Sequence, residues 1–524
     1  MKEAVKPSKE KPINTTLMRV KYIFLFLAMS SPIPVFAKSY IGPFLEKPHK
    51  NEYLVAYEGN IPSDAYVIFE NLFNGKRKKA KLFTVVSHRN GLKTRRLKKA
   101  SLRNYASDTL YSYRLVHRRK KGREYFFQTD NRSESQFSFL AMSDAQHGYK
   151  VTTRNILDTV IPHAIENEGD YPIRFGIFAG DLVQHGSKYK LWKKQYFDPM
   201  QPLLSKIPVM PALGNHEEDD KLYFSYFDLP TNGSPKSPEH WYYFDYSNIR
   251  MIALDTNKGY RTKEQLHWLE NVLQEAKAND RIDFVLAFFH HPHQSELWLK
   301  GGIEYSGKIE KALVNFTRRS SKPSLYFCGH THGYSRGHNL KSNHTMLIIG
   351  SIGGAIDDWG DEEQKDYLYY VKTLDEFGWV RAYVDTGPNA RIVFERHSFG
   401  DDKKQKYMGV VDRWVMKKKN KLPGRPRIVK KKVTTKKVYL KLSRFQDTDG
   451  DEHLTTHYQL STNPKFIAAK NYYKQMTNIY WDKDKVKKFH PRFLKFKKSR
   501  FKYFRVRFRD SALGYSRWSK VLKF

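Results

Sequence analysis

Three kinds of hydrophobic patterning follow one another along the chain. From about residue 40 to 130, short segments alternate apolar and polar side chains, as in Tyr53-Leu-Val-Ala-Tyr57, Ala65-Tyr-Val-Ile-Phe69 and Leu110-Tyr-Ser-Tyr-Arg-Leu-Val116. Turn residues such as Asn74-Gly75 separate them, and this predicts a small β-sandwich over 38–132. From about 133 to 400 the pattern becomes one of apolar runs: Phe137–Met142, Phe175–Ala179, Val209–Leu213, Met251–Leu254, Phe284–Phe289 and Ser324–Cys328. Helical stretches lie between them. Leu266, Leu269, Val272, Leu273 and Ala276 share one helix face, and Ile156, Val160, Ile161 and Ala164 share another behind Thr152, a plausible cap. Apolar strands alternating with helices predict an α/β domain. Beyond 400 a basic stretch, 401–430, reads as a linker. Strand-like alternation returns over 431–524, as in Tyr503-Phe-Arg-Val-Arg-Phe-Arg509, and predicts a second β-sandwich.

Charge changes this picture. The 524 residues carry 93 Lys+Arg against 54 Asp+Glu, a net +39, and the stretch 401–524 alone holds 36 basic and 10 acidic residues. Such a chain is drawn to polyanions: nucleic acid, anionic glycans, lipid headgroups or phosphorylated substrates. The lone cysteine, Cys328, excludes an intrachain disulfide framework and a thiolate zinc site. At the N-terminus, Arg19 and Lys21 precede the apolar run Tyr22–Met29, and Val35-Phe36-Ala37 forms a small-residue cleavage pattern. Residues 1–37 therefore read as a signal peptide, which implies an exported, periplasmic or secreted protein. No later segment is long and apolar enough to span a bilayer.

The chemistry sits at the ends of the apolar runs. Asp144 follows the first, with Gln146 and His147 close behind; Gly180-Asp181 follows the second; Gly214-Asn215-His216-Glu217 the third. His290-His291-Pro292 and Gly329-His330-Thr331-His332 follow the last two. Carboxyl ends of strands are where α/β folds place ligand sites. One Asp there is a helix cap and one His is a satisfied polar residue; five such segments in order are a metal site. Imidazole with carboxylate suits Fe, Zn or Mn. Two ions about 3.5–4 Å apart hold a phosphoryl oxygen and supply hydroxide near neutral pH. His216 beside Glu217 is an acid/base candidate whose tautomer the carboxylate would fix.

In this order the motifs resemble the calcineurin-like metallophosphoesterase superfamily, and within it the layout of purple acid phosphatase-like proteins. The resemblance is carried by Gly214-Asn215-His216-Glu217, by Gly329-His330-Thr331-His332-Gly333-Tyr334-Ser335-Arg336, by Tyr242–Tyr246 leading into Ile252–Thr256, and by Gly42-Pro43-Phe44-Leu45. It implies a four-layer αββα sandwich over 133–400, flanked by N- and C-terminal fibronectin type III-like β-sandwiches. It also implies two metal ions: Asp181 bridging, Asp144 and His332 on the first, Asn215, His290 and His330 on the second. His290 is preferred to His291 because Pro292 fixes the register of a His-x-Pro pattern. His216 would protonate the leaving group or position the phosphate. Two positions depart from the pattern. Gln184 stands where the purple enzymes have a tyrosine, so no tyrosinate–iron colour is expected. Gln146 stands where other branches have a histidine, with Gln146 favoured near the first ion and His147 as its rival.

The function expected is an exported metal-dependent hydrolysis of phosphate mono- or diesters, acid phosphatase-like, on small-molecule or polymeric substrates. The alternative is an envelope protein that binds an anionic polymer through its basic C-terminal domain around a vestigial core.

Overall fold

The computed structural model describes residues 39–49, 52–90, 93–131, 133–166, 169–401, 409–475, 490–497 and 501–524. The expected signal peptide, 1–37, lies outside them.

The first module is antiparallel throughout. Its 14-residue strand Arg77–Asn90 pairs at its start with Tyr66–Asn71 and at its end with Lys93–Arg103. It thus passes between two halves of the strand path, which share a core: Tyr53, Val55 and Leu102 from one half, Val67, Tyr113 and Phe127 from the other. Strand Tyr66–Asn71 alternates half-buried and buried residues, as its sequence does. The module is joined firmly to the central domain. Phe44 packs against Phe197 with ring centres 4.8 Å apart, and the buried Lys99 ammonium lies 2.9 Å from Glu46 and donates to Tyr226 O and Asp228.

That central domain is built on two mixed sheets. One has the order Val209–Ala212, Ile173–Ala179, Gln136–Met142, Phe377–Asp385, Arg391–Gly400, Gly409–Lys417. The other runs Tyr242–Tyr246, Ile249–Ala253, Phe284–Phe288, Ser324–Cys328, His344–Ile348, Tyr334–His338, Tyr370–Leu374. The first three strands of one sheet are mutually parallel, as are the central four of the other. Parallel strands covered on both faces need continuous apolar sequence, and Ile173–Ala179 is buried at every position. The sheets share a core in which Phe139 meets Phe327 edge-on. On the far side of the second sheet, Leu269, Val272 and Leu273 of helix Lys263–Ala278 join Ile309, Leu313 and Phe316 of helix Glu304–Ser320. Thr262 caps the former, accepting from Gln265 N at 3.2 Å.

Two expectations are revised here. Thr152 is not a cap: the helix begins at Tyr149, and Thr152 lies buried inside it with its N–H bonded to Gly148 O. The stretch 401–430 is not linker throughout. Gly409–Lys417 is the edge strand of the first sheet, because Trp414 and Met416 alternate inward and Trp414 stacks on Phe394 at 4.9 Å. The flanking charges mask that alternation in the sequence.

Beyond it lie a three-stranded sheet, Ile428–Val433, Lys437–Leu442 and Phe493–Lys497, and a four-stranded one, Lys470–Gln475, His453–Ser461, Tyr503–Asp510 and Leu522–Lys523. They share the core Val438, Leu440, Leu494, Phe504, Val506 and Phe508. No helix among the described residues is long and apolar enough to cross a membrane.

Candidate metal centre

Five strands deliver their next residues to one edge. Asp144 follows strand Gln136–Met142, Asp181 follows Ile173–Ala179, Asn215 follows Val209–Ala212, His290 follows Phe284–Phe288 and His330 follows Ser324–Cys328. At each exit the chain turns sharply. Asp144, Asp181 and His330 have φ of 57°, 58° and 69°, left-handed values that cost a non-glycine residue about 1–3 kcal/mol. Exit loops bonded to one another hold them there: Asp144 N donates to Gly180 O at 3.1 Å, and Ala145 N to Asp181 O at 2.9 Å. Gly180, at φ +86°, admits no side chain, since a Cβ would stand 2.7 Å from His290 Nδ1 and 2.8 Å from Gly214 N.

Three imidazoles are fixed in the same way. The Nδ1 of His290 meets Ala179 O at 2.9 Å, that of His216 meets Gln184 O at 2.8 Å, and that of His332 meets Ala355 O. A carbonyl only accepts, so Nδ1 carries the hydrogen and Nε2 faces the centre. His290 Nε2 lies 3.0 Å from Asp181 Oδ2, His332 Nε2 3.3 Å from Asp144 Oδ1, and His216 Nε2 3.8 Å from Asp181 Oδ2. Ligand atoms of Asp144, Asp181 and His290 lie within 4.8 Å of one another, and so do those of His290, His291 and His330.

Burial lowers the pKa of His290 and His332, but the charges of Asp181 and Asp144 outweigh it and raise both to about 9. Burial, reinforced by the charge on His290, takes His330 and His291 well below the ordinary range. Asp181 is held below the usual carboxylate range: burial opposes this, and the His290 charge prevails.

Gln146 is buried, its amide nitrogen 3.2 Å from Asp181 Oδ2 and 3.0 Å from His332 Nε2. Its Oε1 and Asp144 Oδ2 are buried without a hydrogen-bond donor. Buried acceptors left without donors are costly. Asp144 Oδ2, beside the inward-facing nitrogens of His290 and His332, fits a cation, so the residues present suit metal ions; the Gln146 amide, whose nitrogen faces His332 Nε2, would have to turn over to present Oε1 to one. His147 and Asn215 are both exposed, Asn215 at the start of the turn Asn215–Glu217.

Glu217 has a different place from the one expected. Its carboxylate does not touch His216; the Gln184 carbonyl sets that tautomer. Glu217 turns back into the fold, accepting from Asp181 N at 2.9 Å, Leu182 N at 2.7 Å and Gly214 N at 2.7 Å. Burial, then the Asp181 charge, pushes its pKa up to about 8, against the pull of those N–H groups. Each oxygen faces donors only, so an added proton would set O–H against N–H, and the turn accommodates the ionised form. The reason is geometric: in the 3-10 turn Asn215–Glu217 successive side chains are rotated by about 120°, so Glu217 leaves on a different side from His216.

Other residues act here as well. Asp357 accepts from His332 N at 2.8 Å, and Thr256 accepts from His291 N at 3.0 Å. The Trp298 ring lies 5.1 Å from that of His330. Thr256 ends the motif Ile252–Thr256, and Trp298 ends the segment His293–Trp298, which follows the apolar run Phe284–Phe289 and is expected from the sequence to line the pocket.

Strand-end carboxylates and histidines between two facing sheets form a candidate metal centre, and residues 137–334 match the calcineurin-like phosphoesterase family. The domain belongs to that superfamily. Among relatives, an uncharacterized protein of Mycobacterium tuberculosis is 28% identical over 190 residues, 32% of this chain and 35% of its own length. Purple acid phosphatase 15 of Arabidopsis thaliana is 28% identical over 176 residues, 32% of each chain. A "probable inactive purple acid phosphatase 27" of the same plant is 25% identical over 240 residues, 38% of each. The chain spans about a third of the length of the curated relatives it matches.

Proposed function

We propose that the protein is an exported phosphoric ester hydrolase, acid phosphatase-like, acting on phosphate mono- or diesters with two metal ions of the Fe, Zn or Mn kind. The observation that carries this reading is the convergence of Asp144, Asp181, His290 and His330, with His332 Nε2 3.3 Å from Asp144, around a buried, donorless Asp144 oxygen. Asp144, Gln146 and His332 would hold one ion, Asn215, His290 and His330 the other, with Asp181 between them. Bound metal supplies Lewis-acid polarisation of the phosphoryl oxygen and activates water.

The chain's own part is positional. Gln184 O holds the His216 proton on Nδ1 and leaves Nε2 facing the centre; a protonated His216 can then pass the Nε2 proton to the departing oxygen. Trp298 beside His330 narrows the approach. In this reading the flanking β-modules are fibronectin type III-like and 1–37 is a cleaved leader.

The test is hydrolysis of an aryl monoester and an aryl diester by protein loaded with Mn, Zn or Fe. Asp181→Asn and His330→Ala are expected to lower both the rate and the metal content at least about 100-fold, and the loaded wild type to show no tyrosinate band. One observation favours a second reading, a binding protein with a vestigial core: a relative carries the label probable inactive. Metal-loaded protein inert on both esters would establish that reading instead.

A further inference from the structure

The C-terminal module distributes its charge unevenly. Among the described residues beyond Lys417, the carboxylates are Asp447, Asp449, Asp451, Glu452 and Asp510. They gather at one end of the module, where Asp447, Asp451 and Asp510 cluster: Lys417 of the central sheet bonds to Asp449 and Asp451 at 3.1 and 2.8 Å, Asn420 just beyond it to Asp510 at 3.0 Å, and, within the module, Glu452 N to Ser511 at 3.0 Å. The four-stranded sheet engages its own cations. Arg505 lies 4.3 Å from the ring centre of Phe466 and 4.4 Å from that of Trp518; Arg507 lies 3.7 Å from Tyr515 and 4.5 Å from Trp518.

The three-stranded sheet is built differently. Its register sets Lys432, Tyr439 and Lys495 in one row and Lys430, Lys441 and Phe493 in the next. These rows alternate with Val438, Leu440 and Leu494, which face the core. Tyr439 is 37% and Phe493 55% exposed, and both line a groove of about 520 Å³ with the lysines. Like charges directly opposite one another, as Lys430 and Lys441 are, cost stability. Lys495 and Lys441 lie 5.8 and 5.6 Å from the Tyr439 and Phe493 rings, at the outer limit of a cation–π contact.

We propose that this face binds single-stranded nucleic acid, with bases stacked on Tyr439 and Phe493 and phosphates paired with Lys430, Lys432, Lys441 and Lys495. Charge alone would suit any polyanion; the rings narrow the choice. They sit diagonally on neighbouring strands, about 7–8 Å apart by sheet geometry. The matching ligand alternates flat apolar faces with anionic links along one backbone. A single strand does so, a duplex hides its base faces, and polyphosphate has none.

The test is fluorescence anisotropy of the full chain with a labelled oligothymidylate of about 15 nucleotides, the span a small β module covers, in EDTA so that the strand is not cut. Affinity is expected to fall with salt at a log–log slope of about −3, four phosphates being neutralised. Tyr439→Ala and Phe493→Ala should each weaken binding about fivefold or more, while Phe493→Trp retains it. Unchanged melting and unchanged metal-dependent hydrolysis of an aryl phosphate establish that the variants are folded. The proposal is overturned by absence of binding at low salt or by ring variants that bind as the wild type does. It is equally overturned if inorganic polyphosphate or phosphatidylserine vesicles compete as well as unlabelled oligonucleotide at equal charge.

Discussion

The imidazole of His216 leaves its turn toward Asp181, while the carboxylate of Glu217 folds back beneath it to collect N–H groups from the Asp181 turn and from Gly214. Substitution should separate the two. On the proposed reaction, His216→Gln is expected to cost about 10²–10⁴ in rate, the usual worth of a general acid. The loss should be larger for an alkyl phosphate than for a nitrophenyl phosphate, whose leaving group needs no proton. Its unfolding midpoint should stay near the wild type's. Glu217→Gln should do the reverse in equilibrium terms, lowering stability by about 2–4 kcal/mol in urea titration, because an amide nitrogen would face backbone N–H groups. Equal rate losses for the two leaving groups would remove His216 as the proton donor.

At the scale of elements, the segment 293–298 is clamped against the region that leads into strand Tyr370–Leu374. Leu299 N donates to Glu363 O at 2.8 Å, Tyr367 N to Glu296 Oε1 at 2.6 Å, and the Thr373 hydroxyl to Glu296 Oε2 at 2.6 Å. Glu296 thus anchors the segment that presents Trp298 to His330. Burial pushes its pKa up to about 8, only partly opposed by Thr373 and Tyr367. A carboxyl raised on folding contributes stability that is complete below its unfolded pKa, about 4.3. That contribution is lost as pH rises towards 8, at up to about 1.4 kcal/mol per pH unit. Glu296→Gln keeps the shape and removes the titration. Its stability relative to wild type should climb between pH 5 and 8 in parallel denaturant titrations; a constant difference would mean that Glu296 is ionised in the fold.

For the whole molecule, the question is how the basic module is held. Arg509 is wholly buried at the junction, donating to Asn339 O at 2.9 Å and Ser342 O at 2.7 Å, while the Tyr515 hydroxyl donates to Leu340 O at 2.8 Å. The Gln475 amide reaches Leu368 O. Arg509→Met keeps the stem but strands three carbonyls, those of Asn339, Ser342 and Leu513, at about 2–4 kcal/mol. For a module of this size that is expected to separate its melting from the central domain's and lower it by about 10–30 °C. A single, unshifted calorimetric transition would show that the junction rests on other contacts.

Chain order and hydrophobic period carried much of the fold and the site. The apolar runs marked the strands, because a strand covered on both faces needs apolar residues throughout. The residues just past them marked the candidate ligands, because strand ends are where this kind of sheet opens to ligand. The same reading missed strand Gly409–Lys417, whose inward Trp414 and Met416 run straight into the lysines 417–419, which look like linker. Tertiary structure alone decided the rest. Which carbonyl fixes each imidazole, which way Glu217 turns, and which lysines share a face with Tyr439 and Phe493 all depend on segments far apart in the chain. Local sequence sets which groups are available; the packing of distant segments sets which of them meet.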